Sequence, residues 1–350
     1  MTETTTALPP AALKLAIDRD ALQANWRALD ALSGQARAGA AVKANGYGLG
    51  ARSVVTELLA AGCRDFYVAH TREAGDLLDL VGSATLGVLH GPLGDADARW
   101  LHAVGAKPVI NSIPQARHWL DAGGGPCDLM VDTGINRLGL PLADLGDETI
   151  ARLDIDVLLS HLASAEEATP LNVQQLARWR QARAAVPHRR ASLANSAGIA
   201  LGADYHGDLT RPGLALYGGV PCHALAGSIR QVVRPRAAIM QVRSISPGDT
   251  VGYNATFLAK RVMRVGTIAL GYADGYLRCW SGRGVMTVDG RSLPVLGRVS
   301  MDMTVIDLTA APALHEGDWV EAVYHLPDAA TASGLSQYEL LTSLGARFAR

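Results

Sequence analysis

The sequence predicts an α/β chain made of a (β/α)₈ TIM-type barrel followed by a β-rich C-terminal domain. Short apolar runs alternate with helical patterns from about Asp18 to Gly218, the layout of parallel βα units. After about Gln231 helical periodicity nearly vanishes, and runs of strand type separated by turn residues take over. The length of 350 residues also exceeds the usual size of one compact domain. The expected division is 1–231 for the barrel and 232–350 for the second domain.

The first helix sets the pattern. Asp18 is placed to cap it, Leu22, Trp26, Leu29 and Leu32 recur at helical spacing, and Gly34 is placed to end it. Strands are expected at 40–43, 66–69, 85–90, 107–110, 128–131, 155–160, 190–194 and 208–216, with helices such as 114–120 and 173–185 between them. Eight strands alternating with helices fit a closed barrel better than an open sheet. The eighth is the least regular, because Pro212 cannot donate to a ladder. In the second domain, strands are expected at 237–245, 249–257, 263–270, 284–288, 293–308 and 319–324, with Pro247-Gly248-Asp249 and Asp289-Gly290 as turns.

Composition narrows the function classes. With 32 basic and 33 acidic residues and no block of like charge, neither nucleic acid nor an acidic membrane is an expected partner. Cys63, Cys127, Cys222 and Cys279 are scattered, with no Cys-x-x-Cys pair and no histidine at zinc-ligand spacing, so reduced thiols and no metal site are expected. The Thr-rich start, Met1 to Pro10, lacks the basic and apolar regions of a signal peptide, and no apolar run reaches membrane-spanning length. The expected protein is soluble and cytoplasmic.

Lys43 closes the apolar run Ala40-Ala41-Val42 and precedes Ala44-Asn45-Gly46-Tyr47-Gly48-Leu49-Gly50. This places an amine at the C-terminal end of a strand, the rim where barrel active sites form. A desolvated lysine there can condense with an aldehyde as a Schiff base, whereas a lysine merely snorkelling at the rim occupies the same position. The glycine spacing of the loop matches neither a dinucleotide fingerprint nor a P-loop. Ala194-Asn195-Ser196 follows the seventh strand and Arg211-Pro212-Gly213-Leu214 lies in the eighth βα region. Barrels often bind phosphate between those loops, where Ser196 has a hydroxyl to donate and Gly213 and Leu214 have backbone N–H groups. An ordinary turn is the competing reading.

Taken together these segments resemble the alanine racemase family over nearly the whole chain. The matching stretches are 41–48, Asp132-Thr133-Gly134-Ile135-Asn136-Arg137-Leu138-Gly139, Ser160-His161-Leu162-Ala163-Ser164-Ala165, 194–196, 211–218, Gly252-Tyr253-Asn254-Ala255-Thr256-Phe257, Gly271-Tyr272-Ala273-Asp274-Gly275 and Gly297-Arg298-Val299-Ser300-Met301-Asp302. The resemblance implies interconversion of L- and D-alanine by two-base proton transfer, supplying D-alanine for peptidoglycan. It implies pyridoxal 5'-phosphate on Lys43, with its phosphate held by Tyr47, Ser196, Gly213 and Leu214. Arg211 would face the pyridine nitrogen, donating a hydrogen bond without delivering a full proton, which disfavours side reactions such as transamination. His161 would lie near the ring. Arg137 would lie beside the cofactor's phenolic oxygen and the substrate carboxylate, which the Met301 backbone N–H also helps to hold.

Racemisation removes a proton from one face of Cα and returns it on the other. By the resemblance Lys43 serves the D-enantiomer and Tyr253 the L-enantiomer, Tyr253 reaching the cofactor of the other subunit of a homodimer. A tyrosine with an ordinary pKa of about 10 would be helped by cationic neighbours, among them Arg211 and His161. Two positions depart from patterns in the family: Met130 replaces a lysine carbamylated in some members, leaving a place for an anion or water, and Ala346 replaces a phosphate-binding tyrosine. The alternatives are a racemase of broader specificity that admits serine, a barrel-type pyridoxal-phosphate decarboxylase and a non-catalytic carrier of the cofactor. Tyr253 in its Gly-Tyr-Asn-Ala-Thr setting speaks against a decarboxylase, and the second domain against a carrier.

Overall fold

The computed structural model describes residues 9–81 and 86–350, so Thr85 at the start of the expected third strand and residues 1–8 of the Thr-rich start lie outside the described residues. The chain divides into two compact units, Arg19–Val232 and a second in which Val233–Arg350 is joined by the N-terminal stretch up to Asp18.

In the first unit, seven parallel strands pair in the order Ala40–Ala41, Phe66–Val68, Leu86–Val88, Lys107–Ile110, Pro126–Asp132, Asp154–Leu159 and Arg190–Ser192. The eighth is Leu209–Thr210, which pairs in parallel with Arg37–Ala38. Backbone bonds from Asp208 N to Ala191 O (2.8 Å), Arg211 N to Ala194 O (2.9 Å) and Ala41 N to Pro212 O (2.9 Å) close the ring. The expected eighth strand stops short of Leu216 because Pro212 lacks a donor, and Leu214–Tyr217 is a 3₁₀ turn. The helix Arg19–Leu32 buries Leu22, Trp26 and Leu29, each contributing about 1.5–3 kcal/mol, whereas Leu32, expected on the same face, is exposed.

The barrel interior is layered. At the C-terminal half, Tyr67, Val109, Met130, Val157, Leu159 and Leu209 form an apolar cluster. Beneath it, at the strand starts, Lys107 Nζ meets Asp128 (3.2 Å) and Asp156 (2.5 Å), and Arg190 bridges Asp156 (2.8 Å) and Asp65 (3.0 Å). This face of a barrel carries stability, and the opposite rim carries chemistry.

The second unit is an antiparallel sheet that closes on itself. Its order is Leu13–Ile17, Val233–Ile245, Met263–Ile268, Thr304–Asp307, Arg291–Leu296, Val285–Val288, Trp319–Ala322, and the last pairs back onto Val233–Ile245. Leu13–Ile17 was expected with the barrel. It belongs here because Leu13 and Leu15 alternate with exposed Lys14, and the strand pairs antiparallel with Val233–Ala237.

Two expected strands are interrupted. The run 249–257 is a hairpin of Thr250–Val251 and Phe257–Leu258 around a 3₁₀ turn Tyr253–Ala255. The run 293–308 breaks after Leu296, where Gly297 sits at φ +68 and a Cβ would lie 2.5 Å from the Val251 carbonyl oxygen. Two helices, Leu326–Ser333 and Gln337–Thr342, follow the sheet.

Candidate active site

Lys43 opens a left-handed turn. Ala44, Asn45, Gly46 and Tyr47 lie at φ 53, 53, 64 and 53, and Gly48 follows at 85. For a non-glycine residue this region costs roughly 1–2 kcal/mol, so Ala44, Asn45 and Tyr47 must be held by their surroundings. Several bonds hold them: Gly46 N to Val42 O (2.9 Å), Gly50 N to Asn45 O (2.9 Å), Ala51 N to Asn45 Oδ1 (2.9 Å) and Ala44 N to Glu73 Oε1 (2.7 Å). The effect is to direct Lys43 and Tyr47 from one short segment at the end of the first barrel strand.

Tyr47 is buried and stacks on Tyr217 with ring centroids 4.5 Å apart, while the Tyr217 hydroxyl donates to the Ala41 carbonyl (2.8 Å). Burial pushes the Tyr47 phenol up to about 12, so it stays a neutral donor at working pH. Opposite it lies Gly213, where a Cβ would fall 2.2 Å from the Tyr47 hydroxyl oxygen; glycine is the residue that fits. Ser196 Oγ accepts from the N–H groups of Gly213 (2.9 Å) and Ala215 (3.2 Å). Tyr47, Ser196, Gly213 and buried Leu214 are thus brought together. The second N–H converging on Ser196 comes from Ala215, which the sequence reading missed although it lies inside the quoted segment.

Arg211 is buried against the barrel wall, its Nη1 donating to the Ser192 carbonyl (2.9 Å) and hydroxyl, and its Nη2 to the Ser160 carbonyl (2.6 Å). Among the described residues these anchors use three of the five N–H donors of its guanidinium. Tyr67 lies beneath, 6.0 Å from the guanidinium carbon to the ring centroid.

Arg137 is exposed on the loop after Pro126–Asp132. Asp132 Oδ1 shapes that loop by accepting from Gly134 N (2.8 Å) and Ile135 N (3.0 Å), and Gln175 and Arg178 grip Thr133. His161 follows Asp154–Leu159 and its carbonyl accepts from Gln175 Nε2 (3.0 Å).

The electrostatics of this rim are one-sided. Burial first, then Arg137 and Arg211, hold the Lys43 amine below its usual range, and Glu73 pulls only partly the other way. Burial, Arg211, Arg137 and Lys43 drive His161 down to about 3, which keeps it neutral. The expectation that His161 adds positive charge is therefore corrected: a fourth cation is disfavoured beside three others in a desolvated place. A rim with Lys43, Arg137 and Arg211 against Glu73 is arranged to receive anionic groups.

Tyr253 and Met301 lie in the second unit, 65% and 53% exposed. Tyr253 starts the turn after Gly252, which sits at φ +78 with its Cβ position 3.1 Å from Arg298 N. Met301 lies on a bend whose carbonyl accepts from Ala273 N (3.0 Å), and Gly271 permits the approach, since its Cβ would lie 2.3 Å from Met301 O. Ala346 is exposed beside Arg347, which spans Asp274 and Asp302 (2.7 Å each). Met130 is buried in the apolar cluster of the barrel, so the anion or water expected near it would lack polar partners on that side.

Comparison with known proteins places these features. Residues 17–221 match the alanine racemase N-terminal domain and residues 232–350 the alanine racemase C-terminal domain. The biosynthetic alanine racemase of Agrobacterium fabrum is 41% identical over 99% of this chain and 95% of its own length. A catabolic alanine racemase of Rhizobium johnstonii is 40% identical over 100% of this chain and 97% of its own. The crystal structure of the Bartonella henselae alanine racemase, with covalently bound pyridoxal phosphate, superposes with a TM-score of 0.89 at 36% identity, covering 97% of this chain and 99% of that one.

Proposed function

Because the chain belongs to the alanine racemase family, we infer that it interconverts L- and D-alanine with pyridoxal 5'-phosphate held on Lys43, supplying D-alanine for peptidoglycan. The observation that carries this reading is the Lys43–Tyr47 turn facing the Ser196–Gly213 cradle. The residues fit the cofactor: the Gly213 position would be closed by a Cβ, Ser196 gathers two N–H groups, and the rim cations outnumber its carboxylate. When bound, the cofactor accommodates the electron pair left on the substrate Cα after its proton departs.

Tyr47, Ser196 and the N–H groups of Gly213 and Leu214 would hold the phosphate, with Ser196 Oγ itself positioned by the N–H groups of Gly213 and Ala215. Arg211, its terminal nitrogens anchored to Ser192 and Ser160, would offer its remaining donors to the ring nitrogen, with neutral His161 alongside. Arg137 and the Met301 N–H hold the substrate carboxylate.

Two proton carriers act on opposite faces. Lys43 Nζ, its pKa lowered by burial and by Arg137 and Arg211, is poised to exchange the proton of the D-enantiomer. Tyr253 Oη exchanges that of the L-enantiomer, contributed by a second copy of the chain. Support for a homodimer with shared sites comes from the side chains that one copy leaves exposed on its second unit, Tyr253, Leu258, Met301 and Met303. Among the described residues no helix is long and apolar enough to cross a membrane. The four free cysteines support a cytoplasmic setting.

Purified protein incubated with L-alanine should yield D-alanine by chiral chromatography; amine plus CO₂, or no change, would overturn the reading. Borohydride should fix the cofactor on Lys43. Mixing inactive Lys43→Ala and Tyr253→Phe chains should restore part of the activity, and failure after confirmed subunit exchange rules out the shared site.

A further inference from the structure

Glu73 lies in the first turn of the short helix Thr71–Gly75, outside every segment so far assigned a role. Its two carboxylate oxygens are used separately. Oε1 accepts from the N–H of Ala44, the residue after Lys43, at 2.7 Å, and Oε2 accepts from the N–H of Ala69, one residue past the strand Phe66–Val68, at 2.7 Å. One side chain therefore ties the turn that carries the lysine to the neighbouring barrel strand.

The tie falls where the backbone needs it. Ala44 is the first residue of the left-handed run, and beyond its carbonyl, which accepts from Gly48 N (2.9 Å), it has no polar side chain to offset that conformation. Asn45 has such a bond, through Oδ1 to Ala51 N, and Tyr47 is pinned by its stack on Tyr217. Glu73 supplies for Ala44 what those residues supply for themselves, with a charge-assisted bond.

Resting on the reading of Lys43 as the cofactor lysine, we propose that Glu73 is a positioning residue: it clamps the Lys43 turn to the second barrel strand and is the negative charge against which the lysine amine is set. The charged and titratable groups around that amine are Arg137 on the loop after Pro126–Asp132, Arg211 beside the eighth strand, His161 after Asp154–Leu159, and His90, which packs edge-on against His70 at 5.3 Å between centroids. Of those acting on Lys43, Arg137 and Arg211 disfavour its protonated form and Glu73 favours it. Without Glu73, the amine would be lowered with nothing to oppose the two arginines, and the strained turn would lose the bond at its first residue.

Two variants separate the geometry of Glu73 from its charge. Glu73→Gln removes the charge and leaves one acceptor oxygen for two N–H groups. Glu73→Asp keeps the charge on a side chain one methylene shorter, which cannot span both. Hydrogen exchange at the Ala44 and Ala69 amides, followed in the holoenzyme, should accelerate by on the order of tenfold or more at one of the two in each variant. In protein stripped of cofactor, the pH dependence of acetic anhydride labelling at Lys43 should move to lower pH in Glu73→Gln and stay near the parent curve in Glu73→Asp. Turnover of L-alanine should fall through kcat, with KM little changed, because the substrate is not touched. Parent-like amide exchange and labelling in Glu73→Gln would overturn the proposal, as would a variant that is merely less stable with both readouts unmoved. The labelling is read without the cofactor and amide exchange reports the backbone bonds of Glu73 wherever the cofactor is attached, so a borohydride label found away from Lys43 would sink the cofactor assignment while leaving the clamp to be judged on its own result.

Discussion

Replacing Lys107 by methionine should destabilise the barrel unit by about 3 kcal/mol, because it strands a carboxylate that has no access to water. Lys107 and Asp128 are 7% and 0% exposed at their side chains and 3.2 Å apart. Asp156, the other partner, keeps Arg190 (2.8 Å), and Asp128 keeps the Tyr67 hydroxyl and the Val157 N–H, both at 3.2 Å. Removing one member of a buried pair costs about 3–5 kcal/mol, and these two surviving bonds put the loss at the lower end, a fall in Tm of roughly 6–12 °C.

The pH dependence gives the argument its sign. Burial holds the Asp128 carboxyl above its usual range against the pull of Lys107, so the folded state binds a proton there that the unfolded chain has released. Its contribution to stability therefore declines as pH rises from the unfolded pKa through the higher folded one. Loss of Lys107 raises the folded value further, widening that window, so the penalty should be larger at about pH 8 than at about pH 5. Asp156 behaves oppositely. Burial opposes its ionisation, but Arg190 and Lys107 hold it down to about 2, so its contribution is present above the unfolded pKa and fades as pH falls toward that value. Urea unfolding followed by tryptophan fluorescence at the two pH values measures the Asp128 effect, a further series at about pH 3 measures that of Asp156, and Lys107→Met with Asp128→Asn should recover most of the loss. A single-variant change within about 0.5 kcal/mol at both pH values would refute the reasoning.

Gly213→Ala should weaken pyridoxal-phosphate binding by roughly tenfold or more, read by spectral titration, because the new methyl group must displace the Tyr47 hydroxyl 2.2 Å away. Tyr217→Phe should cost about 1 kcal/mol in urea unfolding, the bond from its hydroxyl to the Ala41 carbonyl at 2.8 Å being lost. His161, whose folded pKa is depressed to about 3, contributes stability that is full above its unfolded pKa of about 6.5 and is lost as pH falls toward the folded value. His161→Asn should therefore flatten the acid side of the stability curve, and the parent should show no kcat/KM limb near pH 6.5 assignable to this residue.

How far the sequence was legible differs between elements for physical reasons. The strand Lys107–Ile110 and the helix Ile113–Asp121 were readable because an apolar run and a proline at the helix's first turn agree with the buried face each element presents, whereas Pro170–Ala185 was expected only from Val173, because its buried face includes Asn172 and Gln175 and its apolar periodicity is weak. The eighth strand was overextended because the apolar run Leu214-Ala215-Leu216 is buried in a 3₁₀ turn instead, and burial alone does not distinguish the two. The closing helix Gln337–Thr342 is too short for periodicity, yet its reciprocal cap between Ser336 and Glu339 is written in the sequence. In the site, Lys43 and the glycine-bearing loops stood out as segments. Glu73 did not, since one acidic residue in the first turn of a helix reads as a complement to the helix dipole, and nothing in one dimension shows that its two oxygens reach two different strand ends.

The two ends of the barrel solve opposite electrostatic problems with similar residues. At the strand starts, Lys107 and Arg190 face Asp65, Asp128 and Asp156, so every cation has a carboxylate in reach and that end is complete. At the rim, Lys43, Arg137 and Arg211 bear on one another with Glu73 as the opposing charge, and the lowered Lys43 and His161 record the imbalance. An unbalanced cluster costs the apo protein stability and returns it when an anion arrives. A dianionic phosphate in the Ser196–Gly213 cradle and a substrate carboxylate beside Arg137 would each relieve part of it. Cofactor binding should therefore stabilise the barrel unit, by an amount that shrinks with added salt only where the charges are exposed, at Arg137 rather than at buried Arg211.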